Sequence, residues 1–162
     1  MVEADASSAA IARVGDPAPS VDPGDVSVVP FRAGERWVGS YICRQGSTEM
    51  TIAFGEVRRG ARSKDDVFDV EAVFEFRFNG DGPFGYTAAE GAARMSGAYD
   101  AKTRRLSLVG EEWLDEVPGY ALVNLVGVVS RASPSAPMAY IGTVEGPGCS
   151  TFSARPTGAP RP

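Results

Sequence analysis

The chain has no histidine among its 162 residues. That absence excludes Ser-His-Asp and Cys-His nucleophilic sites and every His-based metal centre. An enzyme built on this sequence would have to work with carboxylates, Tyr, Lys or a bare thiol. Cysteine is scarce too, with only Cys43 and Cys149. Two thiols cannot close a zinc site by themselves. Either they pair or they pack as small apolar side chains. Pairing would close a loop of about a hundred residues, worth roughly 4–5 kcal/mol in a chain-entropy treatment. It would also imply an oxidising compartment, exported or periplasmic; unpaired thiols imply the cytoplasm. The opening Met1-Val2-Glu3-Ala4-Asp5 lacks the basic and apolar regions of a secretory signal.

Long hydrophobic runs are missing as well. Nothing approaches the ~20 apolar residues of a membrane helix, so no membrane span is expected. Positive charge is in deficit, 16 Lys and Arg against 21 Asp and Glu, for a net charge of -5. Such a chain has no general attraction for nucleic acid or anionic membranes. Arg58, Arg59, Arg62 and Lys64 do cluster, but Gly60 and Asp65-Asp66 flank them, as in a solvated hairpin loop. Asp65-Asp66 and Asp81 lack the rhythm of a calcium loop. No Gly-rich phosphate loop with its Lys occurs, and no RNA-binding aromatic motif. The expectation is no metal, no cofactor and no nucleic-acid partner. An amphipathic helix of three turns is also absent.

What remains is a series of strands. Val67–Phe78 reads V-F-D-V-E-A-V-F-E-F-R-F, with Phe68, Val70, Ala72, Phe74, Phe76 and Phe78 on one parity. Side chains alternate across a strand, so this one has a buried face and a wet face. Further strands are expected at Arg36–Arg44, Thr48–Val57, Ala92–Tyr99, Arg104–Val109, Ala121–Ser130, Met138–Glu145 and Cys149–Arg155. Ala121–Ser130 is nearly all apolar and reads as covered on both faces. Thr87–Gly91 has the composition of a helical turn. Residues 1–33 are rich in Pro, Ala, Ser, Asp and Gly, and read as a disordered tail with a transient helix over Ala6–Val14. Residues 157–162 form a second tail, and the domain spans 34–156.

Many short strands joined by short turns mean a barrel or a sandwich. Consecutive hairpins without a long crossover favour an all-β, antiparallel, up-and-down barrel of about eight strands, with a β-sandwich as the alternative. Closure would make the first and last strands neighbours, and Cys43 and Cys149 sit on those two. Gly39, Gly97, Gly127 and Gly142 interrupt strands in V-G-S-Y, S-G-A-Y, V-G-V-V and I-G-T-V. Barrels place glycine inside strands where these must bend tightly.

Trp37-Val38-Gly39-Ser40-Tyr41, followed after a turn by Met50-Thr51-Ile52, resembles the opening of calycin-type barrels such as lipocalins and avidins. Gly34 stands three residues before Trp37, so the spacing departs by one residue from that pattern. Tyr41-Ile42-Cys43 is similar to the opening strand of small bacterial inhibitors of c-type lysozyme, as is a bridge to the far end. The resemblance implies an eight-stranded meander.

Gly110–Tyr120 is expected to be a loop in which Glu111, Glu112, Asp115 and Glu116 surround Trp113. A Trp with polar neighbours, and Tyr120 beside it, suits glycan stacking or a protein hot spot. The plainer alternative is that Trp113 plugs one barrel end while the acids face water. Paired carboxylates can hydrolyse glycosides, but only across a cleft, which adjacent acids on one loop do not provide. Trp37 and Tyr41 share a parity and would line the interior with Phe54, Phe74 and Phe76. An eight-stranded barrel is either filled by its side chains or holds one small ligand. The reading is a non-catalytic binding or inhibitor module, taking a small molecule, glycan or protein at a barrel end and the acidic Trp loop. The alternatives are a structural or interaction accessory tethered to a larger assembly, and a carboxylate-dependent hydrolase.

Overall fold

A computed structural model describes residues 28–60 and 66–157. The expected Ala6–Val14 helix, most of the N-terminal tail, residues 158–162, and Arg62, Lys64 and Asp65 of the basic cluster lie outside the described residues. Eight strands follow in order: β1 Arg36–Cys43, β2 Gly46–Arg59, β3 Val67–Phe78, β4 Ala89–Asp100, β5 Arg105–Asp115, β6 Asn124–Ser130, β7 Ala139–Glu145 and β8 Thr151–Pro156. Each pairs antiparallel with its neighbours in sequence, and β8 returns to β1 to close a barrel. The closing register runs from Trp37 opposite Pro156 to Tyr41 opposite Phe152. Closure rules out the sandwich.

The period-two pattern puts apolar side chains in the lumen. Phe68, Val70, Ala72, Phe74, Phe76 and Phe78 of β3 are all buried, as are Met50, Ile52 and Phe54 of β2 and Leu106 and Leu108 of β5. Burying a side chain of this size contributes about 1.5–3 kcal/mol. One polar group lies deep among them. The Tyr140 hydroxyl shares its one proton between the carbonyl oxygens of Leu106 and Leu125, at 3.0 and 3.1 Å. Gly127 faces Gly142 across β6 and β7. A Cβ on Gly127 would fall on the Ile141 carbonyl, and one on Gly142 on the Val126 carbonyl. The two backbones approach too closely there for any other residue.

Only Cys43 lies on a strand, at the end of β1; Cys149 precedes β8 in the 146–150 loop, because β8 starts at Thr151 rather than at the expected Cys149. Cys43 and Cys149 are joined as a disulfide spanning 106 residues of sequence.

Several expected boundaries change. The predicted loop 110–120 is a strand as far as Asp115, and the loop proper is 116–123. Two irregularities in the β4–β5 register, between Ala92 and Ala93 and between Arg94 and Met95, leave Leu114 and Glu111 as the extra residues. Such bulges break the alternation by which a strand is recognised. Thr87–Gly91 is no helical turn, because Ala89–Gly91 already belong to β4. β6 is not covered on both faces: Val128 is 41% exposed, since among the described residues nothing packs on the outer wall of the closed sheet. Val29 and Phe31 lie upstream of the boundary drawn at residue 34, yet both are buried in the core.

Antiparallel order sorts the connections between the two ends. Residues 60, 66, 101–104 and 131–138 lie at one end, where Phe31 acts as a stopper. Its ring stacks on Phe54 and meets Trp37 and Tyr99 edge-on. Gly34, at φ 90°, reverses the chain from this stopper into β1, a conformation other residues rarely adopt. The Glu35 carboxylate accepts from the Arg32 amide and the Trp37 indole, both at 3.2 Å. The connections at 44–45, 79–88, 116–123 and 146–150 gather at the other end.

Candidate functional site

That second end is open. It holds a cavity of about 100 Å³. Tyr41, Phe74, Phe76, Met95 and Trp113 supply the strand walls, while Tyr86, the segment Gly119–Val123, Arg44 and Pro147 form the rim. Cys43 and Cys149 also line it, so the disulfide pins the 146–150 loop to one side of the mouth.

Aromatic rings contact one another around this space. Tyr41 packs on Phe74 at 5.6 Å between centroids, and Phe76 meets Trp113 at 6.3 Å. Tyr120 stacks on Phe76 at 5.2 Å. Gly119, at φ 87°, turns the loop so that the Tyr120 ring folds inward, and the Tyr120 amide donates to the Val117 carbonyl at 3.1 Å. Gly91 leaves room opposite: a Cβ there would strike Phe76 and Val117.

Polar groups sit where β1 turns into β2 at this end. Gln45 and Thr48 are buried. The Gln45 amide donates to the Thr48 hydroxyl at 2.8 Å, and that hydroxyl donates to the Gly46 carbonyl at 3.2 Å. Burial pushes the Tyr41 phenol far above its ordinary range, opposed by hydrogen bonding to Gln45 and Thr48 and reinforced by Tyr120. Burial also raises Tyr120, with Tyr86 adding to it. Both phenols therefore stay protonated near neutral pH and can donate. The Tyr120 hydroxyl is shielded from solvent, yet no protein group among the described residues hydrogen-bonds it. An unsatisfied buried hydroxyl costs about 1–3 kcal/mol.

The predicted site residues separate. Trp113, Tyr120 and Tyr41 meet at the cavity, with the Cys43–Cys149 bridge beside them. Trp37 does not. It is fully buried at the stoppered end, against Phe31 and Phe54. The four acids do not surround Trp113 on one loop. Trp113 lies opposite Ala93 and shares its inward side, whereas Glu112 lies opposite Arg94 on the outer wall and pairs with it at 2.8 Å. The Glu111 carboxylate accepts from the Ser96 hydroxyl. Asp115 is exposed beside Glu90 and Ala92. None of the acids lines the cavity. Among the described residues, no group of three or more Asp, Glu or Cys side chains is placed to hold a metal ion. No helix among them is long and apolar enough to cross a membrane.

Sequence reasoning missed Arg44, Gln45, Thr48 and Tyr86. Gln45 read as part of a turn and Thr48 as the start of a strand, and only the parity shared by Tyr41, Cys43 and Gln45 pointed inward. Comparison with protein-family models finds no match for this chain, and comparison with curated proteins finds none either.

Proposed function

We propose that the chain is a non-catalytic binding module that takes a small molecule into the open end of its barrel. The Tyr120 hydroxyl carries this reading: it is enclosed, neutral and without a hydrogen-bond partner among the described residues, beside an aromatic-lined cavity. Sites of this kind combine apolar walls with a few placed polar groups. The engagement of Glu111 by Ser96 and of Glu112 by Arg94, both away from the cavity, speaks for binding over carboxylate catalysis. The likeness of the opening strand to calycin-type barrels is in keeping with it. The disulfide favours an exported location.

The test is a fragment set of single-ring and short-chain compounds, neutral and charged, followed by amide and indole NMR shifts. Binders should move Trp113 and residues 119–123, and Trp113→Ala should weaken them at least tenfold. Glu112→Ala, on the outer wall, should leave them unchanged. A set in which no compound moves the mouth sinks the proposal.

A second reading, an interaction module, draws on the outer wall. Val128, Ile141, Ser153 and Ser40 lie in one uncharged row across β6, β7, β8 and β1. Val38, Ile42 and Ile141 on this side are each more than 40% exposed. Ile141→Glu should abolish any assembly formed by the native chain; assembly that survives it removes this reading.

A further inference from the structure

Resting on the binding reading above, we infer that the cavity takes a compact aromatic monoanion: one ring inside, a carboxylate at the rim. Size sets the first limit. A cavity of about 150 Å³ lined by apolar side chains holds one benzene ring. The space of about 100 Å³ here admits no more than a single ring, part of it in the mouth.

Shape favours a flat group. The faces and edges of Phe74, Phe76, Trp113 and Tyr120 bound the space. Planar rings pack on such walls in offset or edge-on contact.

Charge sets the sign. Arg44 is the one charged residue among the described lining. Its side chain lies along the 146–150 loop, where a Cβ on Gly148 would come 3.0 Å from both Arg44 Cβ and Arg44 Nε. It makes none of the ion pairs found among the described residues. A guanidinium with free donors at the lip of an apolar pocket suits a carboxylate, which it grips through two parallel hydrogen bonds. A cationic ligand would meet repulsion there. The Thr48 hydroxyl is already engaged, accepting from the Gln45 amide and donating to the Gly46 carbonyl. The Tyr120 hydroxyl, which no group among the described residues hydrogen-bonds, adds a donor for a ligand oxygen at the same cavity.

The probes are benzoate and benzyl alcohol, which share a ring and differ in charge. Trp113 indole and Gly119–Val123 amide shifts report binding to the intact chain. Benzoate should bind about tenfold more tightly than benzyl alcohol, and high salt should shrink that ratio, since Arg44 is exposed. Arg44→Gln, a surface change, should bring the two probes level. Equal affinity in the native protein, or a preference untouched by Arg44→Gln, overturns the anion assignment and leaves the binding module standing. Failure of both probes overturns the ligand class. Whether the module binds at all is then decided by the wider fragment set.

Discussion

Phe31 stacks on Phe54 with ring centroids 4.2 Å apart and an interplanar angle of 15°. A residue from outside the sheet thus completes the packing of one end. Phe31→Ala should lower stability by about 3–5 kcal/mol, the cost of emptying a buried aromatic site. Urea unfolding followed by Trp fluorescence measures it. A loss under about 1 kcal/mol would show that the barrel closes that end without it.

Tyr120→Phe removes a buried hydroxyl that has no hydrogen-bond partner among the described residues. Without ligand, stability should hold or rise by about 1 kcal/mol, because an unmet desolvation cost disappears. Ligand affinity should fall. A destabilised Tyr120→Phe protein would mean that the hydroxyl is already satisfied.

The disulfide fastens the seam over 106 residues of sequence. Thiol titration of the denatured, unreduced protein should find no free thiol. Replacing both cysteines with serine should cost about 2–5 kcal/mol by denaturant unfolding. The ladder between β1 and β8 should survive, as amide exchange would show. Two free thiols would contradict the bridge.

Tyrosines govern the alkaline limit. Burial raises Tyr41 and Tyr140 most, and Tyr99 and Tyr120 in the same direction. A folded-state value above the unfolded one keeps the proton on the native protein. Stability is therefore intact below the unfolded tyrosine value of about 10 and falls as the pH rises beyond it. Tyr41 and Tyr140 should each add a slope of about 1.4 kcal/mol per pH unit there. With no histidine in the chain, denaturant midpoints should stay flat between about pH 6 and 9. A steep change within that window would contradict this account.

Period-two strands were legible because both faces of a single sheet differ in solvent. β3 shows this best: every residue of its apolar parity is buried. The extension of β5 was hidden, since the extra residues at Glu111 and Leu114 shift the phase and scatter the acids away from Trp113. The stopper was hidden by composition. Val28-Val29-Pro30-Phe31 sits at the end of a proline-rich stretch, and parity says nothing about a segment that crosses a barrel end. Trp37 and Tyr41 were correctly placed on one face, but the face does not tell which end of the lumen each reaches. Tyr120 turns inward through the dihedral of Gly119, a tertiary choice that local pattern does not record.

The Thr157 amide donates to the Arg36 carbonyl at 2.9 Å, so the last strand finishes where the first begins. The ring of strands has no privileged starting point. A short covalent link across that junction, with the polypeptide cut instead at Lys102-Thr103, would preserve every pairing of the sheet. Such a circular permutant would present its new ends at the stoppered pole and leave the mouth unobstructed.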